Sequence, residues 1–586
     1  MRSGPYPPPM AFSEQYGEDE GEFLDSLAPC DKNRARRGIV ALATIRIVRS
    51  MLIQRILAPL ASVLVLAVVS IRCLPFAFDD AYIHFRIAEN FVAYGVPYFN
   101  ASEAVMATSS PVWTCVLALL SLLPGALPVL TALINSVFTV LGAWVWSAIL
   151  SQVVERNISR TTSSLFRLAY IGVLLPSSVG LMETPLAMLL LGWGALLLIH
   201  TRAAGWFFIA LAIFTRYELV TFAILAAVAH IATTRKNILH SALLFCIPIA
   251  LVSAFLVFFF SSPIPHTVTA KQIVYSLSPA QVLVDVFHNL VPRVDNPILV
   301  LPIASPLRVL VSALLEWIGM AGVLVFAAIT CMTLPLPEML SDTRQRWSLC
   351  IGSTGVLIGL AYIIKHVFLH EWYVPLFAVP VLLFAFAVSW RNSLTLVTAV
   401  TLSLLPLATV VEYSLAATGD ASILRAAKPG ARVQRYMQVG TALHELFPEA
   451  RLMTSEIGGL GMSFRGTILD GVGLITPTAL QYHPIPGSAS GVGGIPAGLI
   501  REMKPELIVS YPVFLKDVEN TDAVQEYVRL SMPAFSKEYR KILGTNGLWG
   551  CDTLLVYVRR DRADSATINS LKKALRARVE SAVENG

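Results

Sequence analysis

The sequence predicts an α-helical multi-pass membrane protein with a soluble α/β domain at its C-terminal end. Of the 586 residues, 55% are hydrophobic and only 14% are charged, whereas soluble domains carry about 25% charged residues. Long apolar runs recur between residues 56 and 413, and a polar segment with short strand-like runs follows from residue 414. This composition excludes an ordinary soluble enzyme, a disordered chain and a small secreted module.

The net charge and the cysteine pattern exclude further classes of protein. The formal net charge is +6, from 44 Lys and Arg against 38 Asp and Glu, and it is spread along the chain. Such a diffuse excess does not suggest a nucleic-acid partner and is typical of the positive-inside bias of membrane proteins. The seven cysteines form no CxxC pair and most lie in apolar runs. We therefore expect neither zinc nor thioredoxin-type chemistry, nor a disulfide framework.

Residues 1–55 are polar and of mixed charge, and they predict a partly disordered cytoplasmic tail. The first apolar run begins only near residue 56, which is too late for a cleavable signal peptide. Arg46, Arg49 and Arg55 precede this run. Because basic flanks stay on the cytoplasmic side, we expect residues 76–111 to form the first outer loop.

The apolar runs of the region 56–413 predict about eleven crossings, with the N-terminus inside and the C-terminus outside. The run 112–124 is short and ends at Pro124, so we expect it to lie at the outer surface. With that exception, the basic loops fall on the cytoplasmic side. The predicted spans are about 56–75, 130–150, 166–182, 185–200, 203–216, 218–233, 237–261, 306–333, 347–366, 374–390 and 393–413.

Residues 414–586 predict an extracytoplasmic α/β domain. The strand-like runs are RLMTSE, GTILD, ELIVSY and TLLVYVRR, and the stretch VQRYMQVGTALHELF has a helical pattern. Glycines cluster between residues 458 and 473, and a basic helix is expected over 565–579.

With this topology, twelve candidate ionisable residues near the span ends fall together on the outer side. Such residues are costly near a membrane and are functional candidates. A transporter would place them near the midplane on broken helices, so the one-sided cluster favours an enzyme that acts on a lipid-borne substrate. The cluster comprises Asp79, Asp80, His84, Arg86, Glu183, Arg216, Glu218, His266, Lys271, His366, His370 and Glu371.

Each of these residues also has a structural interpretation. Charges at span ends are often interfacial anchors, and Arg216 and Glu218 could simply pair with each other. His366 and His370 are one helical turn apart and could form a metal face, but no third ligand follows, so a divalent metal is possible but not expected. Asp79 and Asp80 are poor anchors; their structural alternative is to cap a helix in the loop.

Several strings carry a family resemblance. They are DDAYIHFR at 79–86, GVPYFN at 95–100, SSPVW at 109–113, METP at 182–185, TRYE at 215–218 and PHTVTAK at 265–271, followed by a glycine- and aspartate-containing pattern over 457–474. In this order they resemble the GT-C glycosyltransferases, and in particular bacterial arabinofuranosyltransferases of the mycobacterial cell-wall type and the related pilin arabinosyltransferases. Tyr217 stands where that family usually has proline, and His266 where it has asparagine.

The resemblance implies a GT-C catalytic domain over 56–413 and a bacterial plasma-membrane enzyme whose C-terminal domain is periplasmic and a candidate carbohydrate-binding domain. The donor would be a polyprenyl-phosphate-linked sugar, with arabinofuranose the first expectation. The acceptor would be an envelope glycan, glycolipid or glycoprotein, and no metal would be required. Membrane lipids would surround the helices.

The resemblance also implies roles for individual residues. Asp79 would be the general base, with Asp80 orienting the acceptor or sharing the role. Arg216, His266 and Lys271 would bind the donor phosphate. The residues expected to bind acceptor or sugar are His84, Arg86, Trp113, Glu183, Glu218, His370, Glu371, Trp372 and Tyr373.

Two other function classes stay open at this point. A transporter or flippase of a lipid-linked glycan would need ionisable groups on the cytoplasmic side as well, where only flanking arginines occur. A non-catalytic assembly protein with an outer carbohydrate-binding domain would have no use for the Asp79–Asp80 pair.

Overall fold

The fold is taken from a computed structural model of the chain. It describes residues 56–154, 158–233, 238–274, 278, 280–281, 336–365, 369–388, 406–407, 409–414, 416–418, 427–485, 493–519, 521–533 and 553–584. The predicted tail, the predicted span 306–333 and most of the predicted span 393–413 lie outside these residues. The chain divides into two compact units, Met1–Leu64 and Val65–Gly586. All contacts described below lie within the second unit.

The first two thirds of the described residues are helical. The α-helices in chain order are α1 Ala58–Arg72, α2 Asp79–Tyr94, α3 Pro111–Ser121, α4 Leu127–Val153, α5 Arg160–Val179, α6 Thr184–Ile199, α7 Gly205–Thr215, α8 Val220–Thr233, α9 Ile238–Phe260, α10 His266–Val274, α11 Leu336–Ser341, α12 Thr343–Ile364 and α13 Val374–Val388.

Membrane character is supported by four helical segments in the described residues that are long and apolar enough to cross a bilayer. They are α4, α9, α12 and the segment Glu371–Val388, which contains α13. The prediction of about eleven spans is not met. Several predicted spans are helices of 11 to 16 residues, such as α6 and α7, and at 1.5 Å per residue these fall short of the ~30 Å hydrocarbon core. The sequence count treated every apolar run except 112–124 as a crossing.

Helix boundaries follow from local chemistry. The Ser159 side chain caps α5 by accepting from the amide of Thr162 at 3.0 Å, and Asp342 caps α12 through the amide of Gln345. Pro111 begins α3, where a missing N–H costs nothing. α2 ends at Gly95, which has φ 73°, a conformation that favours glycine.

Most of the described helices share one apolar core. The Trp146 indole on α4 donates to the carbonyl of Met188 on α6 at 2.9 Å. Gly192 makes room for that ring, because an added Cβ would lie 2.6 Å from the indole nitrogen. Small residues thus let α4 and α6 approach closely, as is common between membrane helices.

The C-terminal region forms a five-stranded mixed sheet, and its four predicted strands are confirmed. The elements are α14 Ala427–Leu446, β1 Arg451–Thr454, α15 Gly458–Phe464, β2 Thr467–Asp470, α16 Ala497–Met503, β3 Leu507–Ser510, α17 Lys516–Glu519, β4 Tyr527–Pro533, β5 Thr553–Arg559 and α18 Ser565–Glu584. The order is β2-β1-β3-β5-β4. β1 is parallel to β2 and β3, and β5 is antiparallel to β3 and β4. The sequence analysis missed β4, while the helices expected over 433–447 and 565–579 are present as α14 and α18.

Alternation along β1 builds two apolar layers, since successive strand residues face opposite sides. Leu452 belongs to the layer formed with α14 and α18, and Met453 belongs to the layer that includes Leu499 of α16. Ile83 and Ile87 of α2 join the first layer. The helix of the first outer loop is therefore part of the core of the α/β domain.

The first outer loop also reaches the edge strand β2. The Asn100 side chain donates to the carbonyl of Ile468 at 2.8 Å and accepts from its amide at 3.1 Å. Asn100 is 4% exposed, so these two hydrogen bonds are shielded from water.

Candidate active site

Asp80, Lys271 and Tyr373 meet at a partly open position. Asp80 lies in the first turn of α2, Lys271 in α10, and Tyr373 in a short 3₁₀ turn before α13. Nζ of Lys271 lies 3.8 Å from Oδ2 of Asp80 and donates to the Tyr373 hydroxyl at 3.0 Å. The Lys271 and Asp80 side chains are 24% and 30% exposed. Both charges can therefore reach a ligand.

A buried ionic network lies beneath this open pair. Arg216 donates to Oε1 of Glu183 at 2.6 Å and to Oε1 of Glu218 at 2.7 Å, and its guanidinium stacks 4.2 Å from the centre of the Tyr373 ring. The Tyr362 hydroxyl donates to the same Glu218 oxygen at 2.9 Å. Arg216 is 3% exposed and Glu183 is 1% exposed. Tyr373 thus joins the open pair to a network in which Arg216 and Glu183 are shielded from solvent, while the Glu218 side chain is 28% exposed.

His84 extends the network towards the first outer loop. Its Nε2 lies 3.9 Å from Oε2 of Glu183, and its Nδ1 makes a 3.2 Å hydrogen bond with the Thr108 hydroxyl. Burial lowers the pKa of His84, and the Glu183 carboxylate opposes this effect only in part. We therefore treat the ring as neutral at pH 7.

Aromatic rings form one wall beside Tyr373. His370 stacks on Trp372 with ring centres 4.3 Å apart and planes 6° from parallel, and Trp372 contacts Phe78 at 4.7 Å. The Trp372 carbonyl accepts from the Thr184 hydroxyl at 2.7 Å, which ties the turn to the start of α6. Glu371 begins this turn and is partly exposed. His366 lies outside the described residues.

The Asp79 side chain binds the α/β domain. Its two carboxylate oxygens accept from the amides of Gly458 at 2.9 Å and Gly459 at 2.8 Å, the first residues of α15. Burial, and then the negative charge of Glu456, raise the pKa of Asp79 to about 7 against the effect of these two hydrogen bonds. The side chain therefore caps a helix, but not the helix on which it lies.

Three further expected site residues lie elsewhere. Arg86 donates to the carbonyls of Phe99, Gly461 and Gly466, so its guanidinium is committed to backbone groups. Trp113 is fully buried in the helical core. His266 donates from Nε2 to the carbonyl of Gly473 at 3.0 Å and links α10 to the α/β domain.

The structure thus brings together Asp80, Lys271, Arg216, Glu183, Glu218, His84 and Tyr373, with His370 and Trp372 adjacent. Sequence reasoning missed Tyr362 and Thr108 because neither lies in a motif. It assigned no role to Glu456, whose carboxylate pairs with Arg432 at 2.6 Å and raises the pKa of Asp79 at the start of α2. Glu456 directly precedes the glycine cluster, and that position was a usable signal.

The open pair has two chemical capacities. A partly exposed carboxylate can accept a proton from a hydroxyl, and an ammonium with a neighbouring phenol can hold an anionic oxygen. Among the residues that the structure describes, no group of three or more His, Cys, Asp or Glu is placed to hold a metal ion. No protein-family model matches the chain, and no curated protein sequence matches it either.

Proposed function

We propose that the chain is a membrane glycosyltransferase of the GT-C type. It would move a sugar, with arabinofuranose the first candidate, from a polyprenyl-phosphate donor to a cell-envelope glycan or glycoprotein. The observation that carries the proposal is the Asp80–Lys271–Tyr373 arrangement, which lies at the start of the apolar segment Glu371–Val388. A lipid-borne substrate would reach this position with its tail among the helices and its phosphate beside Lys271.

The transfer needs one base and one cation. The acceptor hydroxyl attacks the anomeric carbon, a new C–O bond forms, and the bond from that carbon to the phosphate oxygen breaks. The proton of the hydroxyl passes to a carboxylate, and the polyprenyl phosphate leaves with the bonding electrons. Lys271 would stabilise the phosphate, while Arg216 would act through the Tyr373 ring that it supports.

We assign the base to Asp80 in preference to Asp79. Both side chains are partly exposed, but both oxygens of Asp79 already accept backbone amides, whereas Asp80 faces Lys271. The pKa of Asp79 near 7 would suit a base. However, a general base must first lie within hydrogen-bond distance of the proton that it removes, and its pKa is considered after that. Glu183, Glu218, His84, Trp372 and the other residues of the network would shape the sugar site.

The direct test supplies the purified full chain, in nanodiscs, with radiolabelled polyprenyl-phosphate arabinofuranose, mannose and glucose in separate reactions. An oligosaccharide acceptor from a bacterial envelope is added to each. We expect label in the acceptor with one donor and none with Asp80→Asn. Movement of intact donor across the bilayer without transfer would support the flippase alternative and overturn the proposal.

The proposed orientation places the α/β domain outside the cell. Asn569 is exposed on α18, so Asn569→Cys in a background lacking the native cysteines reports its side of the membrane. Labelling by a membrane-impermeant thiol reagent in intact cells or spheroplasts is expected. Protection of this cysteine until lysis would place the domain in the cytoplasm and exclude a periplasmic site.

A further inference from the structure

The α/β sheet has a point where chain connections leave in opposite directions. From β1 the chain passes through α15 to β2 on one side, and it then returns through α16 to β3 on the other side. In open α/β sheets, ligands bind outside the carboxyl ends of the strands at such a switch point. Here that position lies beyond Thr454 and Ser510.

This position is already filled by the chain itself. Ser455 directly follows β1, and Ser510 is the last residue of β3. Their hydroxyl oxygens lie 2.9 Å apart, and both residues are buried. The amides of Gly458 and Gly459 bind the carboxylate of Asp79. An added Cβ at Gly458 would overlap the backbone carbonyl of Asp79, so the glycine is required by the close approach of α2.

Further contacts fix the same two segments. Arg86 lies two turns after Asp79 on α2. Its guanidinium donates to the carbonyl of Gly466 at 2.6 Å and also to that of Gly461. Glu89 pairs with Arg465 at 2.6 Å. These contacts hold α2 along the whole of α15, with Asp79 at one end.

We infer that the α/β domain uses the ligand crevice of its sheet to hold the start of α2, and that Asp79 is a positioning residue which fixes Asp80 opposite Lys271. The inference rests on the proposed function for the role of Asp80. It does not assign the crevice to a free carbohydrate.

The test compares Asp79→Asn, Gly458→Ala and Asp80→Asn in the full chain, with Asp522→Asn as the control. Asp522 is an exposed carboxylate that pairs with Arg501 at the surface. Hydrogen exchange of the peptide containing Gly458 and Gly459 should speed up at least tenfold in the first two variants. Exchange should stay at the wild-type rate in Asp80→Asn and Asp522→Asn. Unchanged exchange in Asp79→Asn would overturn the docking.

A second readout follows Asp80 without requiring turnover. Acylation of Lys271 by an amine reagent depends on its neighbouring carboxylate, so Asp80→Asn should change its rate about threefold or more. Asp79→Asn and Gly458→Ala should produce a change in the same direction. A wild-type rate in both would show that Asp79 does not position Asp80, even if no donor is ever turned over.

Kinetics separates positioning from chemistry. Asp79→Asn and Gly458→Ala should each lower kcat about 10- to 100-fold, with the donor KM within twofold of wild type and the acidic limb of the pH–rate profile retained. Asp80→Asn should lose at least a further tenfold. If Asp79→Asn abolishes the acidic limb while Gly458→Ala keeps wild-type turnover, Asp79 is itself the base and the inference fails.

Discussion

Lys271 and Asp80 come from separate helices, yet their charged groups lie 3.8 Å apart. Each side chain remains partly exposed, so the pair is screened by solvent and contributes little to folding. A pair of this kind can be altered at small cost in stability. Its substitutions therefore report on function.

Asp80→Asn should reduce transfer by a factor of about 10² to 10⁴, which is the usual contribution of a general base. The corresponding rise in the barrier is about 3 to 5 kcal/mol at 1.36 kcal/mol per tenfold. The melting temperature should stay close to wild type, because the side chain is partly exposed. The donor affinity should also stay close to wild type. Single-turnover rates and donor binding on the same preparation check this. Turnover within about threefold of wild type would remove Asp80 from the chemistry.

Lys271→Ala should weaken donor binding by about 1.5 to 3 kcal/mol, the worth of a hydrogen bond to a charged group. Lys271→Arg should retain part of the affinity, because the charge survives while its geometry changes. The measurement is titration with a short-chain polyprenyl-phosphate sugar, with Lys572→Ala on the exposed face of α18 as the control. Equal donor affinity in wild type and Lys271→Ala would contradict the phosphate role.

Arg216→Met should be strongly destabilising, by about 3 to 5 kcal/mol, since it leaves Glu183 buried without its partner. Adding Glu183→Gln should restore part of the loss, because the remaining buried charge is removed. Thermal unfolding in detergent of the two single variants and the double variant gives the coupling between them. Strictly additive losses would show that the two side chains do not interact as described.

The contribution of Asp470 to the stability of the fold should fall as the pH rises from about 4 to 7. Burial raises the pKa of Asp470 to about 7, although several backbone amides donate to its carboxylate. An ordinary Asp titrates near 3.9, so the folded state holds more protons than the unfolded state between pH 4 and 7. The slope is at most about 1.4 kcal/mol per pH unit for one group, and Asp79 acts with the same sign.

The check is the difference between the melting temperatures at pH 5 and pH 8. The melting temperature at pH 5 minus that at pH 8 should be smaller in Asp470→Asn than in wild type. Asp522→Asn should leave it unchanged, because Arg501 lowers the pKa of Asp522 and the carboxylate stays ionised throughout this range. A difference between the two melting temperatures that is the same in Asp470→Asn as in wild type would contradict the assignment.

Local patterns predicted much of the fold. The strand-like runs at β1, β2, β3 and β5 and the helical pattern of α14 depend on neighbouring residues, and they were predicted correctly. The span count was wrong because it included apolar runs, such as 185–200 and 203–216, that are too short to cross the hydrocarbon core as helices. β4 was missed, although Val528, Leu530 and Met532 alternate with polar residues in its sequence YVRLSMP.

The site was only partly predictable for a different reason. Charge type and position identified Asp80, Lys271, Arg216 and Glu183 as candidates. Nothing in the local sequence separates Asp79 from Asp80, because their difference arises when a distant segment, Gly458–Phe464, packs against one of them. Tyr362 joins the network through the same kind of long-range contact.

The hydrogen bonds between Asn100 and Ile468 have a consequence for association between copies of this chain. β2 is an outermost strand, and unpaired backbone groups on such a strand can recruit a strand from another molecule. The Asn100 amide satisfies the N–H and the C=O that a recruited strand would use. Before the loop that carries Asn100 has packed against β2, a newly made chain would expose these backbone groups of Ile468. Intermolecular β-pairing would then compete with completion of the fold.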